Sequence, residues 1–144
     1  MQSVTSILLV TKAGHADAES TALAVSRWLE ARGVAASTLS AACPPEELAA
    51  GARGVDTVLV LGGDGTFVGV GRKLALVNVP LLGINFGQVG FLTELPAARW
   101  QPALERLLAG RMIERTCLVL NWDVRREGRS VASGHAANDV AAGR

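Results

Sequence analysis

The chain has 144 residues, a hydrophobic fraction of 49% and a net charge of +1. That is enough apolar material for one ordinary domain with a real core, which excludes disorder over most of the length. The near-neutral balance gives no electrostatic case for nucleic acid or an acidic membrane as a partner. Cys43 and Cys117 lie far apart and form no CxxC pair; a disulfide stays open, but a reduced cytosolic pair fits better.

In chain order, the amino-terminal MQSVTSILLVTK has no basic residue before Lys12 and only a short apolar run. It is a poor secretory signal, and a cytoplasmic location is expected. Ser6 to Thr11 reads as a buried strand. Ala16 to Arg32 reads as a helix with Ala18, Ala22, Val25 and Leu29 on one face, and Gly33 sits where a carboxyl-terminal cap belongs. Val34 to Leu39 is a weaker strand, and Pro45 to Ala52 a short helix opened by proline. Asp56 to Leu61 is a strong strand, continuously apolar as parallel strands are. A helix over Thr66 to Val77, a strand over Val79 to Ile84 and a helix over Pro96 to Leu108, ended by Gly110, follow. Leu74 to Thr93 carries no charge and is long enough to cross a bilayer. Asn78, Pro80, Gly83, Asn85, Gly87, Gln88 and Gly90 punctuate it, so a buried strand and a glycine loop explain it better than a membrane helix.

This alternation predicts an α/β fold, an open parallel sheet with helices on both faces. Right-handed crossovers put every strand's carboxyl end on one edge, where ligands of such sheets bind. After Gly110 the helices stop. Met112 to Arg125 reads as one long strand, Glu127 to Arg129 as a turn and Ser130 to Val140 as a second strand. The organisation expected is therefore an α/β nucleotide-binding domain over 1–110, followed over 111–144 by a linker and the first strands of a β-rich domain that is not yet closed. Two strands alone are not stable in water.

The chemistry concentrates in Gly62-Gly63-Asp64-Gly65. These residues make good turn chemistry by themselves. Their position, after a buried strand and before a helix, is also where backbone N–H groups converge on an anion. No Lys follows as in a Walker loop, and Val68 stands where the dinucleotide fingerprint needs its third glycine. No acidic residue occurs between Gly65 and Glu94 to hold a ribose. Asp64 beside polyphosphate is repelled unless something offsets the charge. It can turn away, bind Mg²⁺, or accept a proton from an attacking hydroxyl; the last is what phosphoryl transfer to an alcohol requires.

"LGGDGTF" at 61–67 resembles the GGDGT signature of the NAD kinases, shared more loosely by diacylglycerol and sphingosine kinases and phosphofructokinases. "GINFGQVGFLTEL" at 83–95 is similar to the NAD kinases specifically, and "HAANDV" at 135–140 resembles their third motif. The resemblance implies a Rossmann-like fold of the phosphofructokinase and diacylglycerol-kinase type, joined to a β-rich NAD-binding domain. It implies ATP and NAD as substrates, Mg²⁺ or another divalent cation with the ATP, and a homo-oligomer in the full-length protein. It makes Asp64 the base that activates the adenosine-ribose 2′-hydroxyl. Gly62, Gly63 and Gly65 let backbone approach phosphate. Thr66 caps the following helix or touches phosphate, and Phe67 lines the nucleotide pocket or packs its helix. Asn85 contacts substrate or ties down the second loop. Asn138 and Asp139 correspond to the Asn-acidic pair that holds NAD, with Asp in place of the commoner Glu. Lys12 faces ATP phosphates or solvent. His15 and His135 read as surface or helix-start residues, and Trp28, Trp100 and Trp122 as packing. Because these kinases are longer than 144 residues, the chain is expected to be a piece with little activity alone. The alternatives are a lipid kinase sharing GGDGT and a non-catalytic nucleotide-binding module.

Overall fold

Strand β1 (Ser6–Thr11) is buried at all but its first residue. Strand β3 (Thr57–Gly62) is buried at every position. Continuous apolar strands of this kind must be covered on both sides, and the computed structural model, which describes residues 3–87, 92–93 and 95–137, covers them. Around them lie β2 (Ala35–Ser40), β4 (Leu81–Asn85) and the two-residue β5 (Leu95–Pro96). All pairings in this sheet are parallel, in the order β2-β1-β3-β4-β5.

The strand residues alternate between two cores. Ile7, Leu9, Leu59, Leu61 and Ile84 face α1 (Ala16–Glu30) and α4 (Trp100–Leu108), meeting Ala18, Ala22, Val25, Leu29 and Leu104. Leu8, Val10, Val58 and Val60 face α2 (Pro45–Ala52) and α3 (Asp64–Lys73), meeting Leu48, Ala52 and Val70. Each fully buried Leu or Ile contributes about 1.5–3 kcal/mol. Trp28 of α1 meets Trp100 of α4 edge-on at 5.8 Å, and the Arg32 guanidinium lies 3.7 Å from the Trp28 ring centre.

At the amino edge of the sheet Asp56 ties β3 to β1. One carboxylate oxygen, Oδ2, accepts from Thr5 N at 2.7 Å, Thr5 Oγ1 at 2.9 Å, Ser6 N at 3.0 Å and Ser6 Oγ at 3.2 Å. The Thr5 amide, above all, holds this carboxyl below the usual carboxylate range; the Thr5 hydroxyl and Ser6 add to it and partial burial opposes it.

Several boundaries differ from the sequence expectation, each for a local reason. Helix α3 starts at Asp64, not Thr66, because Gly63 serves as its N-cap and an acidic residue favours the first turn. It ends at Lys73, beyond which the chain continues in single turns, with the amides of Ala75 and Val77 donating to Arg72 O and Leu74 O at 3.3 and 2.9 Å. The helix expected from Pro96 starts at Trp100, after β5 and a 3-10 turn at Ala97–Arg99. Pro102 explains the shift: lacking an N–H, it is tolerated in a helix's first turn and clashes farther in.

The chain divides into two compact units, Met1–Glu114 and Arg115–Arg144. In the second, β6 (Val119–Arg126) and β7 (Arg129–Ala137) form an antiparallel hairpin. Glu127 and Gly128 take positive φ at its tip, as a tight hairpin turn requires. The strand expected from Met112 begins at Val119, which pairs with Ala137. Trp122 lies over Gly134 of the facing strand, where an added Cβ would come within 2.8 Å of the indole. Ser130 Oγ donates to Asp123 Oδ1, and Arg125 Nε is 2.6 Å from Asp123 Oδ2. Arg125 first, then Ser130, lowers the Asp123 carboxyl from its ordinary range.

Candidate active site

Two of the glycine motifs meet at the carboxyl edge of the sheet. Gly62 ends β3 and Asn85 ends β4, and they are partners in register. The Phe86 amide donates to Gly62 O at 2.9 Å. The order β2-β1-β3 makes the gap between β1 and β3 the switch point, where connections leave toward opposite faces and open α/β sheets bind ligands. Lys12, exposed, follows β1 there, with its amide on Leu61 O at 2.9 Å. His15 caps α1: its Nδ1 accepts from Ala18 N at 3.1 Å, and its ring meets Phe86 edge-on at 5.6 Å. A cleft of about 580 Å³ opens between the start of α1 and the end of β4, lined among others by Asp17, Ser20, Thr21, Asn85 and Phe86.

Asp64 is the first residue of α3. Its Oδ1 accepts from Thr93 N at 3.0 Å, Thr93 Oγ1 at 2.8 Å and Leu92 N at 3.3 Å. The charge that seemed misplaced among anion-binding amides is thus met by donors from the second loop and by the positive end of the helix dipole. The carboxylate buckles the GGDG loop to the loop after β4.

Asn85, 3% exposed, works in the same place. Its Oδ1 accepts from Gly87 N at 2.8 Å, and its Nδ2 donates to Thr93 O at 3.2 Å. These bonds hold the loop, whatever further contact the amide makes.

Packing accounts for the neighbouring residues. A Cβ at Gly62 would fall 2.8 Å from both Cβ and Oγ1 of Thr66, so the helix's first turn rests directly on the strand end. Thr66 is therefore not the cap expected from the sequence: it is the third residue of a helix whose N-cap is Gly63. Gly83, inside β4, leaves room for Thr93 Cγ2 and Phe67 Cδ2, which would stand 2.5 and 2.9 Å from a Cβ there. Phe67 accordingly packs against β4 and the core under α2 and α3. Gly65 is exposed, with nothing close to where a Cβ would be. Asn138 and Asp139 lie outside the described residues.

Thr93 is the residue that sequence reasoning missed. It is completely buried and touches both Asp64 and Asn85. The signal available was its place in the second motif, as the hydroxyl that closes Gly90-Phe91-Leu92-Thr93. Among the described residues no group of three or more His, Cys, Asp or Glu could hold a metal ion, and no helix is long and apolar enough to cross a membrane. Cys43 and Cys117 are free thiols.

Comparison with known proteins agrees with this arrangement. The family model described as the ATP-NAD kinase N-terminal domain matches residues 46–112. An NAD kinase of Nitratidesulfovibrio vulgaris strain Miyazaki F is 47% identical over 135 residues, which cover 94% of this chain and 48% of the relative. An NAD kinase of Lawsonia intracellularis is 35% identical over the whole chain and half of its own length. The chain thus spans about half the length of these curated relatives. Among solved structures, yeast NADH kinase in complex with NADH superimposes with a TM-score of 0.71 over 96% of this chain and 45% of that one; at 16% identity this shows a common fold. With these relatives matching nearly its full length and both glycine motifs present in its sequence, the chain belongs to the NAD kinase family.

Proposed function

We propose that the complete protein is an NAD kinase of the cytoplasm, transferring the terminal phosphoryl group of ATP to the 2′-hydroxyl of the adenosine ribose of NAD. The observation that carries this reading is the Asp64 carboxylate itself. It stands on the first turn of α3, next to the backbone of Gly62, Gly63 and Gly65, and is oriented by the loop after β4. Phosphoryl transfer needs little covalent help; it needs a positioned acceptor oxygen and donors around the migrating group. In this reading Asp64 takes the hydroxyl proton as that oxygen attacks phosphorus. The amides at the start of α3 steady the phosphates, and Lys12 meets the donor's charge. Asn85, Asn138 and Asp139 contact the dinucleotide. Mg²⁺ arrives with ATP as part of the substrate and screens the phosphates.

The test is ATP-dependent conversion of NAD to NADP by the complete protein, beside its Asp64→Asn variant. A positioned base is worth roughly 10²–10⁴ in rate, so kcat is expected to fall by that factor while NAD affinity changes little. No NADP from the wild type would end the proposal, and turnover of diacylglycerol in its place would favour a lipid kinase. Nucleotide binding without phosphoryl transfer would favour a binding module.

A further inference from the structure

We infer that Thr93 is a positioning residue that sets the orientation of the Asp64 carboxylate, an inference that rests on the kinase reading above. Two of the three donors on Asp64 Oδ1 named above belong to Thr93: the amide at 3.0 Å and the hydroxyl at 2.8 Å. Thr93 is 0% exposed, so water cannot replace that hydroxyl. Its own carbonyl accepts from Asn85 Nδ2 at 3.2 Å, which fixes the residue from the other side. A carboxylate that must meet one particular hydroxyl gains its rate from orientation, and small misplacements are costly. Thr93 supplies that orientation without touching substrate.

The same side chain has a second, separable task. Its Cγ2 fills the space over Gly83 beside Phe67. The hydroxyl serves Asp64 and the methyl serves packing, so two substitutions pull the roles apart. Thr93→Val keeps the shape and loses the hydroxyl; Thr93→Ser keeps the hydroxyl and loses the methyl.

The experiment measures kcat and KM for NAD, together with thermal midpoints, in the complete protein. Positioning predicts that Thr93→Val loses roughly tenfold to a hundredfold in kcat, as expected for a lost hydrogen bond to a charged group. KM is expected to stay nearly constant, and Thr93→Ser to retain most of kcat at a lower thermal midpoint. A purely structural role predicts the reverse order, and Thr93→Val with wild-type kcat would overturn the inference. Should the valine variant not fold, Thr93→Ala removes the hydroxyl without adding bulk, and its kcat is expected to fall well below that of Thr93→Ser; equal values would overturn the inference. A crystal structure of the variant lacking the hydroxyl gives a readout free of activity. An Asp64 carboxylate rotated away from 92–93 supports the inference, and one left in place overturns it. Absence of NADP formation by the wild type counts against the function alone, since the carboxylate's orientation is read separately.

Discussion

Asp56 and Asp64 flank β3, one before its first residue and one just beyond its last. The hydrogen bonds named above for the two share a pattern. Each uses one oxygen to accept both the amide and the hydroxyl of a single threonine, Thr5 for Asp56 and Thr93 for Asp64. Each also takes the amide of a neighbour of that threonine, Ser6 or Leu92. What separates them is the end of the sheet. Asp56 sits at the amino edge, where β1 and β3 begin. Asp64 sits at the carboxyl edge, among glycines, at a helix N-terminus beside the switch point. A carboxylate's partners alone do not separate the two; the role proposed for Asp64 rests on its position in the α/β architecture.

The sharpest way to break that comparison is to remove each charge in turn. Asp64→Asn is expected to cost the 10²–10⁴ in kcat of a missing base. Asp56→Asn is expected to leave kcat within about twofold, because it is remote from the chemistry, and to lower stability by roughly 1–2 kcal/mol through weakened hydrogen bonds to its carboxylate. Chemical unfolding and steady-state kinetics on the two variants check both halves. Large kinetic losses in both would mean that the edges of β3 are not functionally distinct.

The close approach at the carboxyl edge gives a second contrast. Gly83→Ala would place a methyl 2.5 Å from Thr93 Cγ2 and 2.9 Å from Phe67 Cδ2. Overpacking of this kind costs about 1–3 kcal/mol, and here the side chain pushed aside is the one holding Asp64. Gly83→Ala is therefore expected to lower both the unfolding midpoint and kcat, whereas Asp56→Asn lowers the midpoint alone. A Gly83→Ala protein with normal turnover would show that turnover tolerates displacement of Thr93.

How much of this was legible in the sequence depends on the range of the interaction. β1 and α2 have the bounds read from apolar runs and an opening proline, because both signals are local. Gly33 and Gly110 have the positive φ expected of residues that end helices. The two glycine loops were legible as motifs, and the α/β grammar put them on one edge. The start of α3 was not, since the cap fell on a glycine with no side-chain signal. β5 was not either: two residues carry no periodicity. Least visible were the carboxylate clasps. Thr93 reaches Asp64 across 29 positions and Thr5 reaches Asp56 across 51. Such pairs are made by topology, and no spacing rule within one element announces them.

The smallest expected effect concerns acid, and it probes the amino edge alone. Asp56 titrates below its ordinary value in the folded protein, chiefly because the Thr5 amide favours the charged form. A group depressed in this way contributes stability above its unfolded value and loses it as pH falls through the folded value. The wild type should thus be more stable than Asp56→Asn at neutral pH, and the gap should begin to close below about pH 4, where the unfolded carboxyl takes up its proton, and keep closing as pH falls through the lower folded value. Unfolding midpoints of both proteins from about pH 6 to pH 3 measure this closure. Taking the difference between them cancels the other acids, including Asp123 on the hairpin, which is also depressed. A gap that stays constant across that range would mean that the bonds from Thr5 and Ser6 do not depend on the charge of Asp56. The clasp would then be a matter of shape, and the likeness between the two ends of β3 would be geometric only.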